Sequence, residues 1–363
     1  MQLARFRFYT VLLLAVPGAG ASRLDDLLNT AWHMRVQARY TEAEQTLREA
    51  EPLARSLPEG DHRRLVVANE LGTVLTSLGR FEEAASILEN VLPVAKRTAP
   101  ERHIVLAMTL ASAYHNHGRV RDAETLLRRV LRESAAASPG DRATAKSLLG
   151  RVSLDLGHLK VAERYCREAL REQEAVLGPA HRETYTTLST LASLYLRSGR
   201  LRDAERTARR VVNLSLIGQK RGHPDEAKGR LLLGMAVRRA SRPKEAREQF
   251  ESALAIFQKA LGPAHPMVSV TRYNIAGLDA DAGDLLRARA QLEVALHATE
   301  RVLGRSHRQV AEILALHSEV LHRLGERAEA LKAKARVDEI IKTHWVRNRS
   351  GQIDIAALAI ESR

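Results

Sequence analysis

The sequence predicts an all-α fold, an α-α superhelix built from about eight helical hairpins. A histidine recurs every 42 residues, at His181, His223, His265 and His307. A turn residue followed five positions later by alanine recurs eight times along the chain. Aromatic residues make up only 4% of the chain although 45% is hydrophobic, whereas sheets favour aromatic and β-branched side chains. A fixed period of this size is typical of a repeat array, which grows lengthwise as one continuous solenoid.

The first 21 residues have the features of a signal peptide. Arg5 and Arg7 precede an apolar run from Phe8 to Val16, and small residues at 19–21 provide a cleavage site before Ser22. The run is shorter than the roughly 20 apolar residues that cross a bilayer. We therefore expect an exported protein, periplasmic or extracellular, with a cytoplasmic location as the alternative if the N-terminus is not cleaved.

Residues 22–344 form the predicted solenoid, in which each turn separates a helix A from a helix B. The eight turn residues are Ala38, Gly79, Gly118, Gly157, Gly199, Ser241, Gly283 and Gly325. Glycine ends a helix well because it adopts the left-handed conformation without a Cβ penalty. At Ser241 we expect the hydroxyl to cap the following helix instead.

Small residues occupy one position of every helix A, seven residues before the turn. They are Ala31, Gly72, Ala111, Gly150, Ala192, Gly234, Ala276 and Ser318. This row predicts that the backbones of helices A and B approach closely at that point, so large substitutions there would overpack the hairpin. Cys166 lies on a helix B at a position that faces inward, and we interpret it as a small buried hydrophobe.

Links of the type LGPAH connect one hairpin to the next. Gly178 and Gly262 end a helix B, and Pro179 and Pro263 prevent that helix from continuing. The histidines of these links therefore need no role beyond capping or stacking at the link.

Each unit has the same order of residues: a leucine, a small residue, an aromatic or aliphatic residue three positions on (Leu75, Tyr114 or Tyr195), a glycine turn and an alanine. This order resembles the tetratricopeptide repeat. The 42-residue period resembles its kinesin-light-chain-like variety, over about residues 24–344. This resemblance implies a non-catalytic scaffold that binds a partner protein or peptide in a concave groove lined by helix A.

Groove-facing side chains are expected six and three residues before each turn. The candidate partner-binding residues among them are Trp32, Arg35, His115, Arg151, Met235, Arg238 and His322. The three arginines favour a partner with carboxylates, such as an acidic peptide.

The sequence contains no recognisable catalytic or cofactor motif. His115 and His117 form an H-x-H, but HExxH, a cysteine pair and a phosphate-binding loop do not occur. We therefore predict no metal, no cofactor and no enzyme. The alternative, an enzyme or a metal-binding protein built into the solenoid, would require a cluster of titratable residues in the groove.

The chain is basic, with a formal net charge of +14. Acidic and basic residues interleave and stacking aromatics are few, which disfavours nucleic acid as the main partner. A cytoplasmic regulatory or nucleic-acid-associated repeat protein that uses this cationic surface remains the alternative function. No later segment is expected to span a membrane. The tail, residues 345–363, carries an apolar run from Ile353 to Ile360 and is either a cap on the last helix or a disordered or partner-binding end.

Overall fold

The computed structural model describes residues 19–59, 61–133, 137–218 and 221–347. These residues form sixteen helices and no strand, and consecutive helices pair into eight hairpins. The helices are α1 (Ala19–Val36), α2 (Tyr40–Arg55), α3 (His62–Ser77), α4 (Phe81–Thr98), α5 (Pro100–Asn116), α6 (Val120–Arg132), α7 (Pro139–Asp155), α8 (Leu159–Val176), α9 (Arg182–Arg197), α10 (Leu201–Gly218), α11 (Pro224–Arg239), α12 (Pro243–Leu261), α13 (Pro266–Asp281), α14 (Leu285–Leu303), α15 (Arg308–Arg323) and α16 (Arg327–Arg347). Odd numbers are helices A and even numbers are helices B. The predicted all-α solenoid of eight hairpins is confirmed.

The two ends of the chain are only partly described. Residues 1–18 of the expected signal peptide and residues 348–363 of the tail lie outside the described residues. Residues 19–21 already belong to α1, and residues 345–347 extend α16 beyond the expected end of the solenoid. None of the helices in the described ranges is long and apolar enough to cross a membrane.

All eight turn residues adopt positive φ angles, including the two that are not glycine. Ala38 has φ 59° and Ser241 has φ 60°. The expectation that the Ser241 hydroxyl caps α12 is wrong, because the N-cap of that helix is Arg242 and no side chain bonds there. The fold imposes the left-handed conformation on whichever residue occupies this position.

Replacing Ser241 with glycine is therefore expected to raise the free energy of unfolding by about 0.5 to 1 kcal/mol, since glycine removes the strain of a left-handed serine. Urea denaturation followed by circular dichroism measures the change. Gly199→Ala is the matched control in the preceding hairpin, where an added Cβ meets nothing within 4 Å. It should lower stability by a similar amount, and an unchanged midpoint in both variants would contradict the explanation.

The row of small residues packs helix A against helix B, as predicted. A Cβ added to Gly72 would lie 2.7 Å from Leu88 Cδ1, and one added to Gly234 would lie 2.5 Å from Phe250 Cε1. A Cβ on Gly150 would overlap the sulfur of Cys166. Cys166 is fully buried and burial raises its pKa to about 12, which confirms its interpretation as a small core residue.

The recurring histidines cap the helices that follow the links. In each case the imidazole Nδ1 accepts a hydrogen bond from the backbone N–H two residues on, at 3.3, 3.2, 3.1 and 3.2 Å for His181, His223, His265 and His307. Such a bond satisfies one of the free donors at a helix start. The capping role expected for these residues is confirmed.

The solenoid returns on itself, so that its first hairpins touch its later ones along a contact that we call the seam. His265 Nε2 donates a hydrogen bond of 2.8 Å to the Ser77 carbonyl, 188 positions away in sequence. A Cβ on Gly79 would lie 3.2 Å from Pro266 Cδ. Through this contact the turn of hairpin 2 rests on the link before hairpin 7, and the helices A line a partly enclosed inner face.

Candidate functional site

Polar side chains of consecutive A helices bond to one another across the inner face. Thr109 of α5 donates to Asn69 of α3 at 2.8 Å, and Ser147 of α7 and Thr187 of α9 share a bond of 2.6 Å. Arg239 of α11 donates to the Leu196 carbonyl. Polar contacts between neighbouring A helices therefore recur along the inner face, from one hairpin to the next.

Two of the predicted groove arginines are already paired with carboxylates of the next A helix. Arg35 Nε lies 2.7 Å from Glu70 Oε2, and Arg238 lies 2.7 Å from Asp281 Oδ2. Gly277 leaves room for the second of these pairs, because a Cβ there would lie 2.5 Å from Arg238 Nη1. Both arginines therefore hold neighbouring hairpins together, whatever else they bind.

Four side chains of α5 and α7 form what we call the inner cluster: Ser112, His115, Arg151 and Asp155. His115 Nε2 lies 2.5 Å from Asp155 Oδ2, and Arg151 Nη2 donates to Ser112 Oγ at 3.3 Å. Two nitrogens of the cluster, His115 Nδ1 and Arg151 Nε, are buried and have no hydrogen-bond partner. The structure therefore brings together two predicted site residues, His115 and Arg151, and leaves a polar atom of each unsatisfied.

The electrostatics of the inner cluster show a shortage of negative charge. Burial, followed by the nearby Arg151, lowers the pKa of His115, and burial lowers the pKa of the Arg151 guanidinium. Burial alone would raise the pKa of Asp155, but the hydrogen bond from His115 and the charges of His115, Arg308 and Arg151 hold it at about 2. Asp155 is thus a carboxylate that His115 already engages, and Arg151 has no acidic partner of its own within ion-pair distance among the described residues.

A second feature of the inner face is a cleft of about 170 Å³ between α11, α13 and α15, which we call the inner cleft. Its lining residues are Met235, Val270, Tyr273, Asn274, Arg308, Gln309, Glu312 and Ile313. Arg308 Nε bonds to Glu312 Oε1 at 2.8 Å, and its charge also acts on His115 and Asp155. Met235 is therefore the predicted site residue that lines this cleft, and the Arg308 charge links the cleft electrostatically to the inner cluster.

The other two predicted site residues lie at the ends of the array. Trp32 of α1 is 39% exposed and contacts His33 edge to face. His322 is exposed near the end of α15. Neither belongs to the inner cluster or the inner cleft.

Asp155 and Arg308 are the residues of this face that sequence reasoning missed. Asp155 lies two positions before its turn, one place beyond the positions that the repeat pattern assigns to the groove. Arg308 lies next to a link, and its charge acts on His115 and Asp155, which belong to hairpins at least four places earlier in the chain. No spacing in the sequence indicates that proximity.

A larger cleft, of about 400 Å³, opens between α4, α5 and α6. Its polar groups satisfy one another: Tyr114 donates to Glu89 at 2.6 Å, and Arg119 stacks on the Tyr114 ring and bonds to Asp122. A partner binding there would have to break these bonds, whereas Arg151 Nε of the inner cluster is a donor without an acceptor. No group of three histidine, cysteine or acidic side chains in the described ranges could hold a metal ion.

A family model for the tetratricopeptide repeat matches residues 27–97, 141–216 and 225–301. No curated protein matches the sequence. Among solved structures, the chain is similar to the Rap protein complexed with competence and sporulation factor, at 12% identity and a TM-score of 0.60, over 89% of this chain and 98% of that chain.

Two further solved structures are similar to this chain. NprR in complex with its cognate peptide NprX shares 14% identity, with 88% of this chain and 90% of that chain covered and a TM-score of 0.59. A putative kinesin light chain of Podosopora anserina with nearly identical repeats shares 22% identity over 56% of this chain and 97% of that chain, with a TM-score of 0.41.

Proposed function

The chain belongs to the tetratricopeptide repeat family, and on this premise we propose that it is a non-catalytic interaction scaffold that binds a peptide along its inner face. The proposal rests above all on one feature of that face. Arg151, whose buried Nε has no hydrogen-bond partner, lies on an A helix, as do the residues of the inner cleft that contains Met235, and the charge of Arg308 in that cleft acts on His115 of the inner cluster. A peptide can fill the cleft with an apolar side chain and offer a carboxylate to the cation.

The similar structures support this use of the fold. The Rap protein and NprR were both solved with a bound peptide or factor, so a superhelix of this kind can accept one. Their identities to this chain are 12% and 14%, and the residues proposed here come from its own inner face.

The cationic surface supports a protein partner over nucleic acid. Arginines that follow the turns pair with glutamates of the preceding helix B, as in Arg80 with Glu44 and Arg200 with Glu163. Between hairpins 7 and 8 the two roles are exchanged: Glu326 follows the turn and pairs with Arg289 of the preceding helix B. Binding to nucleic acid requires basic side chains that are free to contact its phosphates. The ion pairs between hairpins already engage many of the arginines of this surface.

A displayed library of linear peptides, selected on the full chain, tests the proposed function. We expect the selected peptides to contain an acidic group and to lose at least about tenfold in affinity on Arg151→Gln, which corresponds to a single charged hydrogen bond. Met235→Lys should weaken binding by blocking the inner cleft. Arg210→Gln, on α10, is the matched control because it removes an arginine that is exposed and paired with Glu174. Selected peptides whose affinity responds equally to all three changes would contradict an inner-face site.

Export is part of the same proposal, with a mature chain that begins at Ser22. Intact mass of the native protein, measured separately in cytoplasmic and exported fractions, tests it. A mass that includes Met1, found only in the cytoplasmic fraction, would contradict export. The peptide-selection experiment would still test the binding site independently.

A further inference from the structure

We propose that the outward side of α6, α8 and α10, the B helices of hairpins 3 to 5, is a second interaction surface, which binds an acidic helix of a partner protein. This surface lies on helices B, whereas the proposed peptide site lies on helices A. The evidence for the two is therefore separate, and either can fail without the other.

Four positions of each helix B form one stripe along the outward side of the helix. They lie 3, 7, 10 and 14 residues after the turn, and this spacing places side chains on a single helix face. In α6, α8 and α10, ten of these twelve positions are basic and none is acidic. We call the ten the outer basic face: Arg121, Arg128, Arg132, Lys160, Arg164, Arg167, Arg171, Arg202, Arg206 and Arg209. Arg121 is half-buried and the other nine are exposed.

The same stripe is not basic in the other five hairpins. Across α2, α4, α12, α14 and α16 only three of its twenty positions are basic, and six are acidic. The outer basic face is therefore a property of three consecutive hairpins and does not follow from the basic composition of the whole chain.

The arrangement of these charges opposes the stability of the helices that carry them. On α8, Lys160, Arg164, Arg167 and Arg171 follow one another at intervals of four, three and four residues. Like charges at these spacings repel each other. Lys160 also lies in the first turn of α8, where the helix dipole disfavours a cation. Folding does not explain such a row, whereas an acidic partner would relieve its repulsion.

Most of the outer basic face is free to bind a partner. Within the described ranges, six of its ten side chains form no ion pair: Arg121, Arg132, Lys160, Arg164, Arg171 and Arg202. The paired members show which group this face accepts. Arg167 holds the carboxylate of Glu163 at 2.7 Å, and Arg206 holds that of Asp203 at 2.6 Å.

The distribution of charge favours a protein partner over a membrane or a nucleic acid. Together α6, α8 and α10 carry twelve basic and eight acidic side chains, so their net charge is modest and their field is weak beyond a Debye length of about 8 Å. A membrane or a nucleic acid is attracted by that field. An acidic helix can instead place carboxylates three and four residues apart against the basic stripe alone, away from the acidic side chains that flank it.

Fluorescence anisotropy of a labelled peptide tests this surface on the full chain. The probe is a helical peptide of alanine and glutamate, with glutamates three and four residues apart, and its glutamine counterpart is the neutral control. We expect only the acidic peptide to bind. Replacing Lys160, Arg164 and Arg171 together with glutamine should weaken its binding about tenfold, because three contacts between exposed charges are lost.

A second triple variant controls for the loss of three charges. It replaces three exposed cations of later B helices with glutamine: Lys259, Arg301 and Lys332. This change should weaken binding by no more than about twofold. The melting temperature of the α8 variant should be no lower than that of the wild type, which separates lost binding from unfolding. Arg151→Gln, on the inner face, should leave the affinity unchanged.

Several results would overturn the proposal: equal losses in the two triple variants, binding of the neutral peptide, or loss of binding in Arg151→Gln. The last result would move the acidic peptide to the inner face and support the proposed function instead. Phosphatidylglycerol vesicles or a DNA duplex are tested in parallel. If either bound and responded to the α8 change while the acidic peptide did not bind, the partner of this face would not be a protein.

Discussion

Replacing Gly234 with alanine is expected to lower the free energy of unfolding by about 1 to 3 kcal/mol, because the new methyl group would overpack the sixth hairpin. Its Cβ would lie 2.5 Å from Cε1 of Phe250, a ring that is fully buried and cannot turn aside into solvent. Urea denaturation of the full chain, followed by circular dichroism, measures the loss.

The neighbouring hairpin provides a compensating change. In the seventh hairpin the same two positions are held by Ala276 and Leu292, both fully buried. Phe250→Leu alone should cost about 1 kcal/mol or more through the space it leaves. In the double variant with Gly234→Ala, the methyl group fills that space, so we expect the combined loss to be at least about 1 kcal/mol smaller than the sum of the single losses.

Gly140→Ala in α7 is the control for the effect of removing a glycine from a helix. A Cβ there would lie 3.6 Å from Leu177 Cδ2, an ordinary contact. This variant should gain about 0.5 to 1 kcal/mol, since alanine favours the helix. The explanation would be contradicted if the stability losses of Gly234→Ala and Phe250→Leu were additive, or if Gly234→Ala raised stability as Gly140→Ala does. Either result would show that the row of small residues does not determine how closely helices A and B pack.

The features that repeat could be predicted from the sequence. Glycine at a turn and a small residue seven positions earlier are local requirements, so each recurs once per hairpin and is visible without a structure. Ser241 and Ala38 show the limit of this reasoning: their left-handed conformation is imposed by the hairpin on residues that do not favour it. At the turn positions the backbone conformation is therefore the same in every hairpin, whereas the amino acid that adopts it varies.

The candidate site could be predicted only in part, for a different physical reason. His115 and Arg151 were found because they occupy groove positions of their own hairpins. Asp155 completes their surroundings through a hydrogen bond between hairpins, and the effect of the Arg308 charge, which comes from the eighth hairpin, depends on the curvature of the whole array. Curvature is the sum of small rotations between hairpins, and no single residue of the sequence reports it.

The arginines give a second example. A Gly-Arg pair at a turn indicates a helix end, but the partner of the arginine lies 36 or 37 residues earlier, as Glu44 does for Arg80 and Glu163 for Arg200. These pairs are exposed, so each contributes little to stability. Their effect is to reduce the number of basic side chains that are available to an anionic partner, which makes the unpaired Arg151 distinctive.

Lowering the pH from 6.5 to about 4 is expected to destabilise the protein, with His265 as a main contributor. Burial lowers the pKa of His265 to about 4, against 6.5 for an ordinary histidine. Between these values the unfolded chain binds a proton that the folded chain does not, so the stabilisation is complete above pH 6.5 and is lost as the pH falls toward 4. The difference is equivalent to about 3 kcal/mol for this residue.

The bonds of His265 give the structural reason for its resistance to protonation. Its Nδ1 accepts from Met267 N–H and caps α13, while its Nε2 donates to Ser77 across the seam. A proton on Nδ1 would face the Met267 N–H, so the cap would be lost. Burial also lowers the pKa values of His103, His181 and His317, and their contributions have the same sign.

His265→Asn separates the titration from the cap, because asparagine caps a helix but does not titrate in this range. We expect the variant to be less stable at pH 7, where it lacks the bond to Ser77, and to lose less stability than the wild type between pH 6.5 and 4. His322→Asn, at an exposed position of α15, is the control and should leave the pH dependence unchanged. If the stability of all three proteins depended equally on pH, His265 would not be held neutral by its helix cap and its bond across the seam. The contact between hairpins 2 and 7 would then not account for the loss of stability at low pH.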